Sequence, residues 1–144
     1  MPILTKLLPP AMMAALALGC YDPDALVERA RNHSVRTRLE EVELGRFYVA
    51  RPRDSRSGEI IEAQLHLFGT LPHYRLKKVG RELAAQEHVV RHNVILALRE
   101  APDEELADPN LSGLTQRLLG VINQCLREAP IESLGYYEAR FTRS

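Results

Sequence analysis

The chain opens MPILTKLLPPAMMAALALGC, and this leader decides how much sequence is left to fold and where it folds. Lys6 is its only charge, Leu7–Leu18 is an apolar run holding Pro9 and Pro10, and Ala17-Leu18-Gly19-Cys20 closes it. A basic start, a short apolar core, small residues and a cysteine form the layout of a bacterial lipoprotein signal, whose cysteine is acylated and becomes the new N-terminus. Residues 1–19 then read as a signal peptide and Cys20 as the lipid-attachment residue. A spanning helix needs about 20 apolar residues in succession, and this run is shorter and carries two prolines. An uncleaved anchor, and plain secretion with cleavage after Ala17, are the competing readings. Tyr21 follows the cysteine, so an aspartate retention signal is absent at that position.

Without the leader about 125 residues remain, enough for one compact domain and too few for two ordinary ones. Lys and Arg number 19, as do Asp and Glu, so net charge is zero. No basic excess exists to grip phosphates, which counts against nucleic acid as a partner. Local basic clusters at Arg51–Arg56 and Tyr74–Arg81 read as solvated loop and helix-start residues. With Cys20 acylated, Cys125 is a lone thiol and there is no disulfide framework. A lone thiol is tolerable in an oxidising compartment when buried. The sequons Asn32-His33-Ser34 and Asn110-Leu111-Ser112 matter only in a eukaryotic secretory host, against which the leader argues.

Residues 20–40 read as a lipid-anchored tether, with or without a short helix capped by Asp24 and ending at Arg31. Residues 41–144 read as the extracytoplasmic domain. Arg36–Arg51 is extended: Val42 and Leu44 share one parity, Phe47 and Val49 the other, and Gly45 is the natural seat of the bulge this demands. Pro52–Gly58 is a turn by composition. Ile61, Ala63, Leu65 and Leu67 then alternate with Glu62, Gln64 and His66, a half-buried strand pairing antiparallel with the one before. A long helix is expected over His73–Arg99, striped by Val79, Leu83, Val90, Val94 and Ala97. Its end, VILAL, is apolar on all sides and should lie deepest, and Gly80 is the candidate break. Glu100–Ala107 reads as a polar connection. A second helix is expected to start at Asp108-Pro109, with Leu111, Leu114, Leu118, Val121, Ile122, Cys125 and Ala129 on one face and Pro130 as its stop. Cys125 reads as a structural core thiol. The last strand, Leu134–Thr142, is expected to turn Gly135, Tyr137, Ala139 and Phe141 inward and Glu138 and Arg140 outward, and to pair beside the second strand. The fold class is therefore α+β: a small antiparallel or mixed sheet with two helices packed on one face.

No phosphate loop, dinucleotide fingerprint, nucleophile elbow or C-x-x-C is present. His88 and His92 stand four apart on a helix, within reach of one metal, but Glu87 precedes the first histidine where a zincin places Glu after it. A solvated face is the reading preferred for them. No acid–base carboxylate pair stands out, and His66 and His73 have no obvious partner in the sequence. The residues point to a non-catalytic module with no catalytic residue, no metal and no cofactor.

Two segments carry more. EVELGRFYVARPRDSRSGEIIEAQLHLFGTLP resembles the opening of the periplasmic domain of FliL-like flagellar basal-body-associated proteins, where an E-x-x-LG-x-F-type strand precedes a hairpin and a longer alternating strand. HVVRHNVILALREAPDEELADPNLSGLTQRLLGVINQCLREAPIESLGYYEARF resembles the remaining half of that domain, on Leu106 and Pro109, Leu114, Leu118, Leu119, Ile122 and Asn123, and Tyr136, Tyr137 and Phe141. The resemblance covers about Glu41–Phe141. It implies a domain similar to the stomatin/SPFH domain, assembly into homo-oligomeric rings or arcs, and flagellar stator or basal-body proteins as partners in motility. It brings no catalytic residue or cofactor. FliL-like proteins usually carry a transmembrane helix where this chain has a lipoprotein-like signal. The same fold used as an envelope scaffold unrelated to flagella, and a metal- or small-ligand-binding lipoprotein built on His88 and His92, are the alternatives.

Overall fold

Alternation decides the centre of the molecule. Ile61, Ala63, Leu65, Leu67 and Leu71 all point to one side of a single strand and are buried there, because side chains in a strand alternate faces and one face here is apolar throughout. The structure, a computed structural model, describes residues 22–52, 58–128 and 130–144. Its elements are α1 (Pro23–Thr37), β1 (Leu39–Pro52), β2 (Ile60–Pro72), α2 (His73–Ala85), α3 (Glu87–Glu100), α4 (Asp103–Ala107), α5 (Ser112–Cys125) and β3 (Ser133–Arg143). The chain divides into two units, Met1–His33 and Ser34–Ser144.

In the first unit the described residues are the start of α1, which has no buried residue. Its cap is Asp22 and not Asp24: one Asp22 carboxylate oxygen accepts the backbone N–H of Asp24 at 3.0 Å and of Ala25 at 3.2 Å. The helix runs on to Thr37, past the expected end at Arg31. Cys20 and the signal peptide lie outside the described residues.

The second unit is α+β. Its three strands are antiparallel in the order β1-β2-β3, so the last strand pairs beside the second as expected. The bulge in β1 falls at the expected place. Glu43 pairs with Phe68 and Gly45 with Leu67, leaving Leu44 as the extra residue, and Gly45 takes a φ of 107°. Phe47 and Val49 thereby return to the buried face.

The expected long helix is two. Gln86 breaks it, at φ −107° and ψ 13°, while Gly80 sits inside an unbroken α2. The break is tertiary in origin. It lets α2 pack over β1 and β2 while α3 packs over β1 and α5, so each segment buries its own stripe against a different neighbour. Val79, Val90, Val94 and Ala97 are buried as expected, but Leu96 in the all-apolar end is 39% exposed.

The polar connection contains the short helix α4, whose Glu105 makes a two-pronged bond with Arg117 of α5 at 2.8 and 2.9 Å. The second long helix begins at Ser112, not at Asp108-Pro109. Asp108 still caps it, but from a distance: its carboxylate accepts the N–H of Asn110 at 3.0 Å and of Ser112 at 2.9 Å across a left-handed Leu111. Those two N–H groups hold the Asp108 carboxyl below its ordinary value. Leu114, Leu118 and Ile122 form the buried stripe of α5. The helix ends at Cys125, five residues ahead of Pro130, and Ala129 lies outside the described residues.

Candidate interaction surface

All the helices of the second unit that pack on the sheet cover one face of it, and the opposite face of β2 carries Glu62, Gln64, His66, Phe68 and Thr70. The centre of this open face is a cluster drawn from all three strands. His66 Nε2 lies 2.8 Å from a Glu43 carboxylate oxygen. The Tyr137 phenol donates to Glu41 at 2.8 Å, and that carboxylate raises the phenol above its ordinary range. The Tyr137 ring stands 4.9 Å from His66 and 4.5 Å from Phe68. Phe68 in turn lies over Gly135, where a Cβ would fall 2.3 Å from its Cζ, so the absence of a side chain there seats the ring.

The outward position of Tyr137 corrects the expectation for β3. Tyr136 pairs with Leu67 and Glu138 with His66, so Tyr137 is an unpaired extra residue. Ahead of this bulge Leu134 and Tyr136 are the inward residues. Gly135 faces outward with Tyr137, and only beyond it do Ala139 and Phe141 share the side of Leu65 and Ala63. Tyr136 makes its own inward bond: its hydroxyl is 2.9 Å from Thr115 Oγ1, which donates to the Leu111 carbonyl at 2.7 Å. Burial raises the Tyr136 phenol. Glu138 and Arg140 face outward as expected and lie 3.5 Å apart.

A second feature is a groove of about 350 Å³ between the free edge of β1 and helices α2 and α3, floored by Val42, Leu44, Phe47, Leu83 and Val90. Arg91 closes one side. Its guanidinium stands 5.6 Å from the Phe47 ring centre and donates to the Arg46 carbonyl at 3.3 Å, occupying one acceptor of the edge strand.

The remaining candidates are scattered. His88 and His92 are exposed on α3, and among the described residues no group of three or more His, Cys, Asp or Glu is placed to hold a metal. His66 and His73 have partners after all, Glu43 and, at 3.3 Å, Glu40. Cys125 is half-buried and packs against the edge of the core, in keeping with a structural thiol. Its Sγ accepts from the Asn93 amide at 3.3 Å and faces the Val121 carbonyl at 3.4 Å. Arg51 is not a solvated loop residue. It lies on the helix side of the sheet, bonded to the Arg99 carbonyl at 3.0 Å and to Asp103. The residues 53–57 of that basic cluster lie outside the described residues. Among the described residues no helix is long and apolar enough to cross a membrane.

Asn123 has a role that composition does not announce. Its amide donates to the Ile131 carbonyl at 3.0 Å and accepts the Ile131 N–H at 2.8 Å, closing the turn between α5 and β3. Ile131 is thereby pressed over Gly69, where a Cβ would approach its Cγ2 to 2.7 Å. No protein-family model matches the sequence, and no curated protein matches it.

Proposed function

We propose that the chain is a non-catalytic interaction protein of the bacterial flagellar basal body, tethered through Cys20 on the periplasmic side of the envelope and supporting stator engagement. The observation that carries this reading is the joint role of the positions on which the FliL-like resemblance rests. Leu114, Leu118 and Ile122 are wholly buried, Asn123 clasps Ile131, and Tyr136 bonds Thr115. These positions work together as the frame of one α+β unit, which supports the resemblance as one of domain type. The open sheet face supports an interaction role. Tyr48 and Tyr137 are 59% and 52% exposed there, and tyrosine and arginine on a rigid sheet are the materials of protein recognition. A tether raises the effective concentration of such a face near its partner without any new contact.

Three measurements test the reading. Deleting the gene should impair swimming. Fatty-acid label should enter the wild type and not Cys20→Ser. Stator or basal-body proteins should co-purify from the same membranes, and fewer should do so with Tyr137→Ala. Normal motility in the deletion strain overturns the motor role and leaves an envelope scaffold of the same fold.

A further inference from the structure

The basic cluster Tyr74–Arg81 is organised by α2 into a surface. Tyr74, Lys77, Lys78 and Arg81 follow i, i+3, i+4, i+7 and form one stripe of the helix, opposite the stripe of Leu76, Val79 and Leu83 that packs on the core. Tyr74 is 49% exposed, and the guanidiniums of Arg75 and Arg36 stand 5.2 and 5.9 Å from its ring centre. The turn after α5 brings Arg127 alongside, so that a shallow groove of about 670 Å³ is lined by Tyr74, Lys77, Lys78, Arg81 and Arg127.

Two carboxylates also line the groove, and both are occupied. Glu82 accepts the backbone N–H groups of Arg127 and Glu128, and Glu128 pairs with Lys78 at 2.7 Å. Among the described residues Lys77, Arg81 and Arg127 have no carboxylate partner, although four cations line one groove. The chain also enters the unit here. The Arg38 carbonyl accepts the N–H of His73, the first residue of α2, at 2.8 Å. The segment preceding this entry is the one that reads as the tether, with Cys20 upstream of α1.

We propose that this face of α2 rests on the bilayer, with anionic phospholipid headgroups as its occupant. Lys77, Arg81 and Arg127 take the lipid phosphates, and Tyr74 sits at headgroup depth, where an amphipathic ring is favoured. The inference rests on the membrane-tethered reading for how the surface reaches the bilayer. A basic patch beside an acyl anchor adds a charge-dependent second signal to the first. Because α2 packs on the helix side of the sheet, contact through its outer stripe turns the face of Tyr137 and His66 away from the membrane, toward partners.

The test uses the full chain with sedimentable vesicles of phosphatidylcholine alone, or of phosphatidylcholine with phosphatidylglycerol. Wild type should favour the anionic vesicles and lose that preference in high salt. Lys77→Gln/Arg81→Gln/Arg127→Gln should weaken anionic binding by about 100-fold in low salt, at about fivefold per cation. Its partition into neutral vesicles, which does not depend on these charges, should stay as in wild type. Lys77→Arg/Lys78→Arg should bind as wild type does, because the site asks for charge, and thermal melts of both variants should match wild type because the side chains are exposed. Equal partition of wild type and the Gln variant into anionic vesicles overturns the proposal. Binding to a DNA duplex that exceeds vesicle binding and is lost in the same variant overturns it in favour of nucleic acid. Fatty-acid labelling separates the two readings. Charge-dependent vesicle binding without label supports the surface and removes the tether, whereas label with charge-independent binding keeps the tether and removes the surface.

Discussion

β1 and β3 flank the same central strand, and each carries one bulge at nearly the same level of it, but the two bulges are held in different ways. In β1 the backbone does the work: Gly45 takes a φ of 107° with nothing within 4 Å of where its Cβ would be. In β3 the side chains do it. Tyr137 has no positive φ, and what fixes it is the bond to Glu41 and ring contacts with His66 and Phe68. Both devices keep the inward set continuous, from Val42 to Phe47 and Val49 in one strand and from Tyr136 to Phe141 in the other. A bulge can thus be secured by conformational freedom or by contacts, and the two should fail under different substitutions.

The largest effect is expected at Gly45. Gly45→Val forces a β-branched residue into a conformation that only glycine adopts freely and should cost about 3 kcal/mol in urea unfolding. Wild-type stability would show that backbone freedom is not what holds the β1 bulge. Next is Gly135→Ala, which drives a methyl into the Phe68 ring and should cost about 2 kcal/mol. The cost should shrink when Phe68→Leu is added, and strict additivity in that double-mutant cycle would show that the two residues do not share the space. Tyr137→Phe keeps the rings and removes the bond to Glu41, so it should cost about 1 kcal/mol or less. Amide exchange should still show Tyr136 opposite Leu67; a shifted register would mean that the hydroxyl alone sets the bulge.

The smallest effect serves as a reference away from both bulges. The Glu105 carboxyl is lowered chiefly by its bond from Arg117, and Asp108 by the N–H groups of Asn110 and Ser112. Their folded values lie below the unfolded ones. The stability they contribute is therefore fully present above about pH 5 and is lost as pH falls through the folded values. Urea midpoints followed into acid should fall less steeply for Asp108→Asn than for wild type, and the slope should be unchanged in Gly45→Ala. Identical acid slopes for Asp108→Asn and wild type would remove the cap from the account.

Much of the fold was legible because local chemistry and burial agree. β2 alternates without a fault, and the bulge of β1 is marked at Gly45 by both a parity change and a glycine. The β3 bulge was not legible, because Tyr136-Tyr137 offers two similar side chains and no residue with special backbone freedom. The start of α5 was misplaced for a related reason: Asp108 does cap, but a left-handed Leu111 moves the first turn to Ser112. Leucine gives no warning of that conformation. Of the open-face cluster, Glu41, Glu43 and His66 were visible as alternating polar residues, but not as partners. Glu43 and His66 stand 23 residues apart and meet only across a strand pair, while Glu41 and its partner Tyr137 stand 96 apart and meet only across the whole sheet.

What the amino-acid order settled alone was the periodic part: three strands, the antiparallel pairing of the first two, and the stripes that β2 and α5 bury. Each follows from the repeat of side-chain direction, which needs no distant residue. Tertiary structure alone decided the break at Gln86, the turning of Tyr137 and Gly135 to the open face, the Asn123 clasp on Ile131, and the placing of Arg127 beside the basic stripe of α2. In each of these the favoured conformation is set by a neighbour far away in the chain, and no local preference is strong enough to announce it.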